Sequence, residues 1–170
     1  MAGLFSKIAK FAGLSDKETD NCDGGLGAKD LLIKVLEKLN CTVEEDEKDR
    51  FIFTFQGEHF VAYAYNDCRI VDVWDMYWYQ VDLDDIDSMA RARKAVNEVN
   101  IKASTTIVYT TDEENNHFDI HTKRAILLRE QPDIIKYFSA MLASFFATQR
   151  EFIKTIDELK QKEDSETKRQ

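Results

Sequence analysis

The sequence contains few of the residues that interrupt regular structure. It has one proline and six glycines in 170 residues, so most of the chain is expected to form helices and strands. Three of the glycines lie in residues 15–27, a polar and acidic stretch that we interpret as a linker. The length is that of one ordinary domain with short extensions.

Positive charge is also scarce. The chain has 23 Lys and Arg residues against 32 Asp and Glu residues, which gives a formal net charge of −9. Nucleic-acid binding needs a basic surface that displaces counterions from phosphate groups, so we predict no nucleic-acid partner. An acidic chain of this kind instead favours a basic or neutral protein partner.

Long apolar runs are absent from the sequence. None reaches the roughly 18 residues that a membrane span requires, and Lys7 and Lys10 interrupt the apolar start where a signal peptide would be unbroken. The three cysteines, Cys22, Cys41 and Cys68, show no metal-ligand spacing such as C-x-x-C and are expected to be free thiols. We therefore expect a soluble, cytoplasmic protein.

Residues 1–14 have the pattern of a short, basic amphipathic helix. Leu4, Ile8 and Phe11 recur at helical spacing, whereas Ser6 and two lysines fall on the other side. We call this segment the arm. Such an arm can dock on its own domain or on a second copy, and it can also lie on a membrane surface, so a membrane-peripheral protein is an alternative function.

Hydrophobic periodicity predicts the order helix, three or four strands, helix, two strands, long helix. The predicted segments are 30–39, 41–45, 51–56, 59–65, 68–81, 84–100, 104–110, 117–126 and 133–162. Short connections between successive strands predict antiparallel pairing. The predicted fold class is α+β, an antiparallel sheet of about five strands flanked by helices over residues 28–162, with residues 163–170 as a disordered tail.

The strand predicted at 68–81 is apolar on both faces. Strict alternation places Ile70, Trp74, Met76 and Trp78 on one face and Val71, Val73, Tyr77, Tyr79 and Val81 on the other. A strand of this kind must be covered on both sides, and Tyr and Trp are favoured at interfaces. The candidate protein-binding residues on the strands are Tyr63, Tyr65, Trp74, Tyr77, Trp78 and Tyr79. A larger intramolecular core is the alternative.

The last predicted helix carries an apolar heptad seam that contains one polar residue, Gln149, followed by Phe152. A polar residue in such a seam fixes the register of paired helices. We therefore add Gln149 and Phe152 to the candidate protein-binding residues and expect a homodimer. Alternatively, Gln149 reaches solvent where the helix leaves the core.

His117, Asp119 and His121 form the most specific candidate for chemistry. Alternation puts all three on one face of a strand, and imidazole and carboxylate groups suit zinc. Same-face neighbours on a strand are about 6–7 Å apart, however, and no fourth ligand is evident. We interpret the three as a solvated polar face, predict no catalytic residue, metal or cofactor, and keep a metal-dependent enzyme using His117 and His121 as the least favoured alternative.

The order of elements resembles that of the YbjN-like family, as does the run Val-Asn-Glu-Val-Asn at residues 96–100. Members are bacterial domains, sometimes called sensory-transduction regulators, with a fold similar to type III secretion chaperones. The resemblance covers residues 28–159. It implies a non-catalytic regulatory or chaperone-like protein-binding module that self-associates, in which Asn97 and Asn100 turn the chain from helix to strand.

Overall fold

The computed structural model describes residues 26–46, 50–64 and 69–167. Its helices are α1 (Ala28–Lys38), α2 (Ile86–Asn100) and α3 (Ile134–Thr167). Its strands are β1 (Val43–Asp46), β2 (Arg50–Phe55), β3 (Glu58–Ala64), β4 (Ile70–Asp82), β5 (Thr106–Asp112) and β6 (His117–Leu127). The arm and most of the predicted linker lie outside the described residues.

The six strands form one antiparallel sheet in the order β1-β2-β3-β4-β6-β5. Between β2 and β3, Gln56 and Gly57 have φ values of 53° and 91°, as the two central residues of a type I′ hairpin turn do. Helix α2 carries the chain from β4 to β5, and β6 returns between these strands. The described residues thus form an α+β fold with an open antiparallel sheet and three helices, which confirms the predicted fold class.

All three described helices pack on one face of the sheet, which we call the inner face; the opposite side is the outer face. Along β2, Phe51, Phe53 and Phe55 are buried on the inner face. Ile52 and Thr54, which alternate with them, are half-buried on the outer face. The sheet therefore has one face covered by helices and one face that none of the described helices covers.

The core on the inner face has two parts. The first joins α1, β2, β3, the start of β4 and the first half of α3, and includes Leu32, Leu36, Phe51, Phe60, Phe138 and Phe145. The second joins α2, β5, β6 and the second half of α3, and includes Val96, Val99, Ile107, Phe118, Phe152 and Ile156. Where the two parts meet, Thr105 and Thr148 share a hydrogen bond of 2.6 Å and Arg124 donates to Ser144 at 3.3 Å. Helix α3 therefore spans two apolar clusters with polar contacts between them.

Both ends of α2 are fixed by side chains. Asp85 is the N-cap and accepts a hydrogen bond from the Ser88 N–H at 2.9 Å, which satisfies a donor that the first turn leaves free. At the other end, Asn100 donates to the Ile107 carbonyl at 3.0 Å and accepts from the Ile107 N–H at 2.8 Å. Asn97 is exposed. The two bonds of Asn100 attach the end of the helix to the start of β5.

Helix α3 continues to Thr167, so residues 163–167 are helical rather than part of the predicted disordered tail. Glu163 accepts a hydrogen bond of 2.9 Å from Arg91 of α2, and the Glu, Lys and Gln residues of this stretch are good helix formers. In the described part of the chain, every helix is too short or too polar to cross a membrane.

Candidate functional site

Strand β4 contains a β-bulge that decides which face its aromatic side chains occupy. Asp75 pairs with Thr122 of β6, and Tyr79 pairs with Ile120. The three residues of β4 between these pairs, 76–78, therefore lie opposite a single residue of β6, His121. Tyr77, in the middle of the three, has a φ of 60°. This left-handed conformation is unusual for a bulky residue, and the bulge interrupts the strict alternation that the sequence predicts for this strand.

On the inner face, the bulge turns Trp78 into the second core. Its indole N–H donates to the Thr122 hydroxyl at 3.1 Å, and its ring meets the edge of Phe152 at 5.2 Å. Tyr79 packs on the same Phe152 ring at 5.2 Å, and burial raises the pKa of its phenol. The expectation that Trp78 shares a face with Trp74 was therefore wrong, and Trp78, Tyr79 and Phe152 contribute to packing within the chain.

On the outer face, Trp74 is the centre of an apolar row. The register places Ile52, Val61 and Trp74 side by side on β2, β3 and β4. The Trp74 indole N–H donates to Asp72 Oδ2 at 2.9 Å, and Lys123 Nζ lies 4.9 Å from the ring centroid, a cation–π distance. Tyr63 and Trp74 both have further interaction partners.

At one end of the outer face, Ile70 and Leu127 form an exposed cross-strand pair. They are direct partners in the β4–β6 register and are 44% and 52% exposed. A single exposed aliphatic residue is ordinary, but apolar side chains that are contiguous are typical of an interaction surface. We use the name outer patch for Ile52, Val61, Tyr63, Ile70, Trp74 and Leu127.

The Asp72 carboxylate is incompletely satisfied. Its Oδ2 atom accepts the hydrogen bond from the Trp74 indole. Its Oδ1 atom is buried, and no described residue donates a hydrogen bond to it. Burial raises the pKa of this carboxyl, while the Trp74 hydrogen bond and the Lys123 charge lower it. A buried acceptor without a donor is costly, so Oδ1 is a source of local strain beside Trp74 rather than a contact point open to solvent.

Tyr77 covers a buried polar cluster on the outer face. Its backbone N–H donates to His121 Nδ1 at 3.1 Å, and its ring lies edge-on to the imidazole at 4.7 Å. Because Nδ1 accepts, the neutral ring carries its proton on Nε2 and donates it to the Thr110 hydroxyl at 2.8 Å. Asp119 accepts from Gln80 at 2.7 Å. Burial lowers the pKa of His121, against the raising effect of Asp119.

These contacts correct the interpretation of His117, Asp119 and His121 as a solvated face. Asp119 and His121 are 2% and 1% exposed, because the Tyr77 ring covers the imidazole and Gln80 binds the carboxylate. His117 is half-buried, with Nδ1 at 3.9 Å from the Asp82 carboxylate. Within the described ranges, no group of three or more His, Cys, Asp or Glu side chains is arranged to hold a metal ion.

Gln149 has its partner within the chain. Its Nε2 atom donates to Asp75 Oδ2 at 2.6 Å, and Asp75 is 2% exposed on the inner face between the two cores. Burial, and to a smaller extent the nearby Glu58 charge, raise the pKa of the Asp75 carboxyl to about 7. The heptad pattern indicates Gln149 as a polar residue in an apolar seam, but no local pattern indicates the buried carboxylate that it meets.

Three residues of the sequence analysis lie outside the described residues: Tyr65, Cys22 and Cys68. Cys41 is half-buried, and burial raises the pKa of its thiol, which disfavours the thiolate form that a nucleophile requires. The candidate protein-binding residues thus divide into an outer group, Tyr63, Trp74 and Tyr77, and an inner group that belongs to the core or its boundary.

Comparison with known proteins yields a shared fold. A scan against protein-family models finds no match, and a search of curated proteins finds none. An uncharacterized protein from Methanothermobacter thermautotrophicus superposes with a TM-score of 0.56 at 9% identity, over 77% of this chain and 97% of that one. YbjN from E. coli, a proposed transcription regulator, superposes with a TM-score of 0.51 at 10% identity, over 82% and 97%. The chain therefore has a YbjN-like fold.

Proposed function

We propose that this chain is a non-catalytic regulatory module that binds a polypeptide segment on its outer patch. The observation that carries the proposal is the asymmetry of the sheet: the described helices all pack on the inner face, while the opposite face carries the outer patch. Ile70 and Leu127 are each about half exposed. Full burial by a partner would contribute roughly 1 kcal/mol for each side chain.

The partner we propose is an amphipathic, basic helical segment. A helix packs well against one face of a sheet, as α1 and α3 do on the inner face of this protein. The net charge of −9 favours a basic partner over an acidic one. The apolar side of such a helix would contact Ile52, Val61 and Trp74.

A regulatory role agrees with the resemblance to YbjN, which is itself a proposed transcription regulator. The acidic charge disfavours contacts with phosphate groups, so we assign regulation to protein binding rather than to DNA binding. We place this activity in the cytoplasm, because the cysteine spacing shows no disulfide framework.

A fluorescent amphipathic peptide with the composition of the arm is a suitable probe. We expect the double variant Ile70→Thr, Leu127→Thr to bind this peptide about tenfold more weakly than the wild type, which corresponds to a loss of about 1.4 kcal/mol. The matched control, Ile86→Thr with Ile101→Thr, changes two apolar residues that are 72% and 83% exposed away from the outer patch. Fluorescence anisotropy measures both affinities.

Equal affinities of the two double variants would contradict the proposal, as would tight binding of a scrambled peptide that has no apolar side. The self-association expected from the family resemblance stays a prediction, and light scattering on the purified chain checks it.

A further inference from the structure

We infer that the chain's own arm, residues 1–14, occupies the outer patch in the absence of a partner and so regulates access to it. The inference rests on the proposed function in one respect: the arm and the partner compete for the same patch. Docking of the arm itself follows from three independent properties, namely its apolar pattern, its charge and its reach.

The arm has an apolar stripe of about the same length as the apolar row on the outer patch. Leu4, Ile8 and Phe11 recur at helical spacing and form one apolar stripe. The row Ile52–Val61–Trp74 crosses three neighbouring strands of the outer face. Strands lie about 4.8 Å apart, so this row is roughly as long as two turns of a helix at about 5.4 Å per turn. A stripe of three apolar side chains is long enough to cover it.

The charge of the arm complements the chain that follows it. The arm contains Lys7 and Lys10 and no acidic residue, whereas the whole chain has 32 acidic and 23 basic residues. On the outer face, the half-buried Asp72 carboxylate lies beside Trp74. Its charge attracts a lysine of the arm across the surface without a direct hydrogen bond.

The connection to the domain is long enough for the arm to reach the outer face. Residues 15–25 separate the arm from the first described residue, and a chain of this length spans up to about 36 Å at about 3.3 Å per residue. Six strands at about 4.8 Å spacing give a sheet about 24 Å across. Helix α1 begins at Ala28 on the inner face, and the maximum length of residues 15–25 exceeds the width of the sheet.

Attachment favours the arm of the same molecule over that of a second copy. Covalent attachment through a connection of this length gives an effective concentration of about the millimolar range, well above the micromolar concentration of a second copy in solution. The covalently attached arm therefore competes for the outer patch more effectively than a free chain does. A partner can displace the arm only if its affinity for the outer patch is high enough to overcome this effective concentration.

The test uses the full chain with single substitutions in the arm. Ile8→Glu places a charge in the apolar stripe, whereas Ser6→Glu adds the same charge on the polar side. We expect Ile8→Glu to bind the fluorescent probe peptide about tenfold more tightly than the wild type, because the competitor is removed, and Ser6→Glu to bind it within about twofold of the wild type.

A second readout follows the outer patch directly. We expect acrylamide to quench Trp74 fluorescence more strongly in Ile8→Glu than in Ser6→Glu. Trp78 also emits but lies on the inner face against Phe152, so Trp74→Phe in each background isolates the contribution of Trp74. This measurement does not depend on the probe peptide.

The outcomes separate the two proposals. If the probe binds every form with equal affinity and Trp74 quenching is unchanged, the arm does not occupy the patch and the inference is wrong, while the proposed function stands. If the probe binds no form but Ile8→Glu exposes Trp74, the proposed function is wrong and the docked arm stands.

Trp74 protection that grows with protein concentration would assign the patch to the arm of a second copy. Binding of the arm to phosphatidylserine vesicles without any Trp74 response would make it a membrane anchor. Either of these last two results overturns the inference.

Discussion

Gln149 of α3 donates a hydrogen bond of 2.6 Å to the buried carboxylate of Asp75 in β4. The pair lies where the two apolar clusters of the core meet, and it joins the middle of the long helix to the start of the β-bulge. A polar residue in the apolar seam of α3 is therefore explained within one chain, because Gln149 satisfies an acid that would otherwise be buried without a donor.

The first prediction concerns the pH dependence of this pair. Burial raises the pKa of Asp75 from 3.8 to about 7. At pH values between these two, the Asp75 carboxyl is protonated in the folded protein and ionised in the unfolded chain. The stability contributed by this site is present below pH 3.8 and falls as the pH rises towards 7. Asp75→Asn imitates the protonated form and should be more stable than the wild type at pH 8, by roughly 2–4 kcal/mol.

Urea unfolding of both proteins at pH 4 and pH 8 measures this difference, which should nearly vanish at pH 4. The exposed Asp133→Asn is the control and should show no comparable gain. If the stabilities of wild type and Asp75→Asn changed in parallel with pH, Asp75 would not be the buried titrating group.

The second prediction tests which face each tryptophan occupies. Trp78 packs on Phe152 and donates to Thr122, so Trp78→Ala leaves a cavity in the second core and should lower the free energy of unfolding by about 3–5 kcal/mol. Trp74 lies on the outer face, and Trp74→Ala should cost about 1–2 kcal/mol. Chemical denaturation of the two variants compares the costs. Equal costs would favour the strict alternation of the sequence analysis over the bulge.

The sequence predicted the regular parts of the fold well, because those parts obey a simple period. The hairpin of β2 and β3 was predicted at 51–56 and 59–65 and lies at Arg50–Phe55 and Glu58–Ala64. Each strand alternates large apolar and smaller or polar residues, and the turn between them contains Gly57, so the propensities and the observed structure agree.

The bulge of β4 could not be predicted from alternation. Residues 76–79 are all large and apolar or aromatic, so no periodic signal distinguishes inside from outside, and the left-handed conformation of Tyr77 has no sequence signature. One indication was present. Asp72 and Asp75 are three positions apart and therefore fall on opposite faces of a strand, so one of the two acids had to enter the inner face. Its partner, Gln149, is too distant in sequence for a local pattern to reveal.

The third prediction concerns the cover that Tyr77 provides. The pKa of His121 lies below its ordinary value of 6.5 because the imidazole is buried, so the stability it contributes is present above pH 6.5 and is lost as the pH falls towards the lowered value. Tyr77→Gly suits the positive φ of 60° but removes the ring from the imidazole. Solvent then reaches His121, and its pKa should move back towards the ordinary value.

An NMR titration of the imidazole signals measures this shift. Tyr77→Phe is the matched control, because it keeps the ring contact and loses only the hydroxyl, so it should leave the pKa of His121 where the wild type has it. An unchanged pKa of His121 in Tyr77→Gly would show that the ring is not what keeps water away.

The fourth prediction separates the two asparagines of the run at residues 96–100. Asn100 forms two hydrogen bonds with the backbone of Ile107, whereas Asn97 is exposed on α2. Asn100→Ala leaves the Ile107 N–H and carbonyl without these partners and should lower the free energy of unfolding by about 2 kcal/mol. Asn97→Ala should change it by less than about 0.5 kcal/mol.

Because both variants replace the same residue type in the same helix, the difference in their unfolding midpoints isolates the attachment of α2 to β5. Two equal midpoints would mean that these bonds contribute nothing net, and that the helix end is held by its apolar contacts alone.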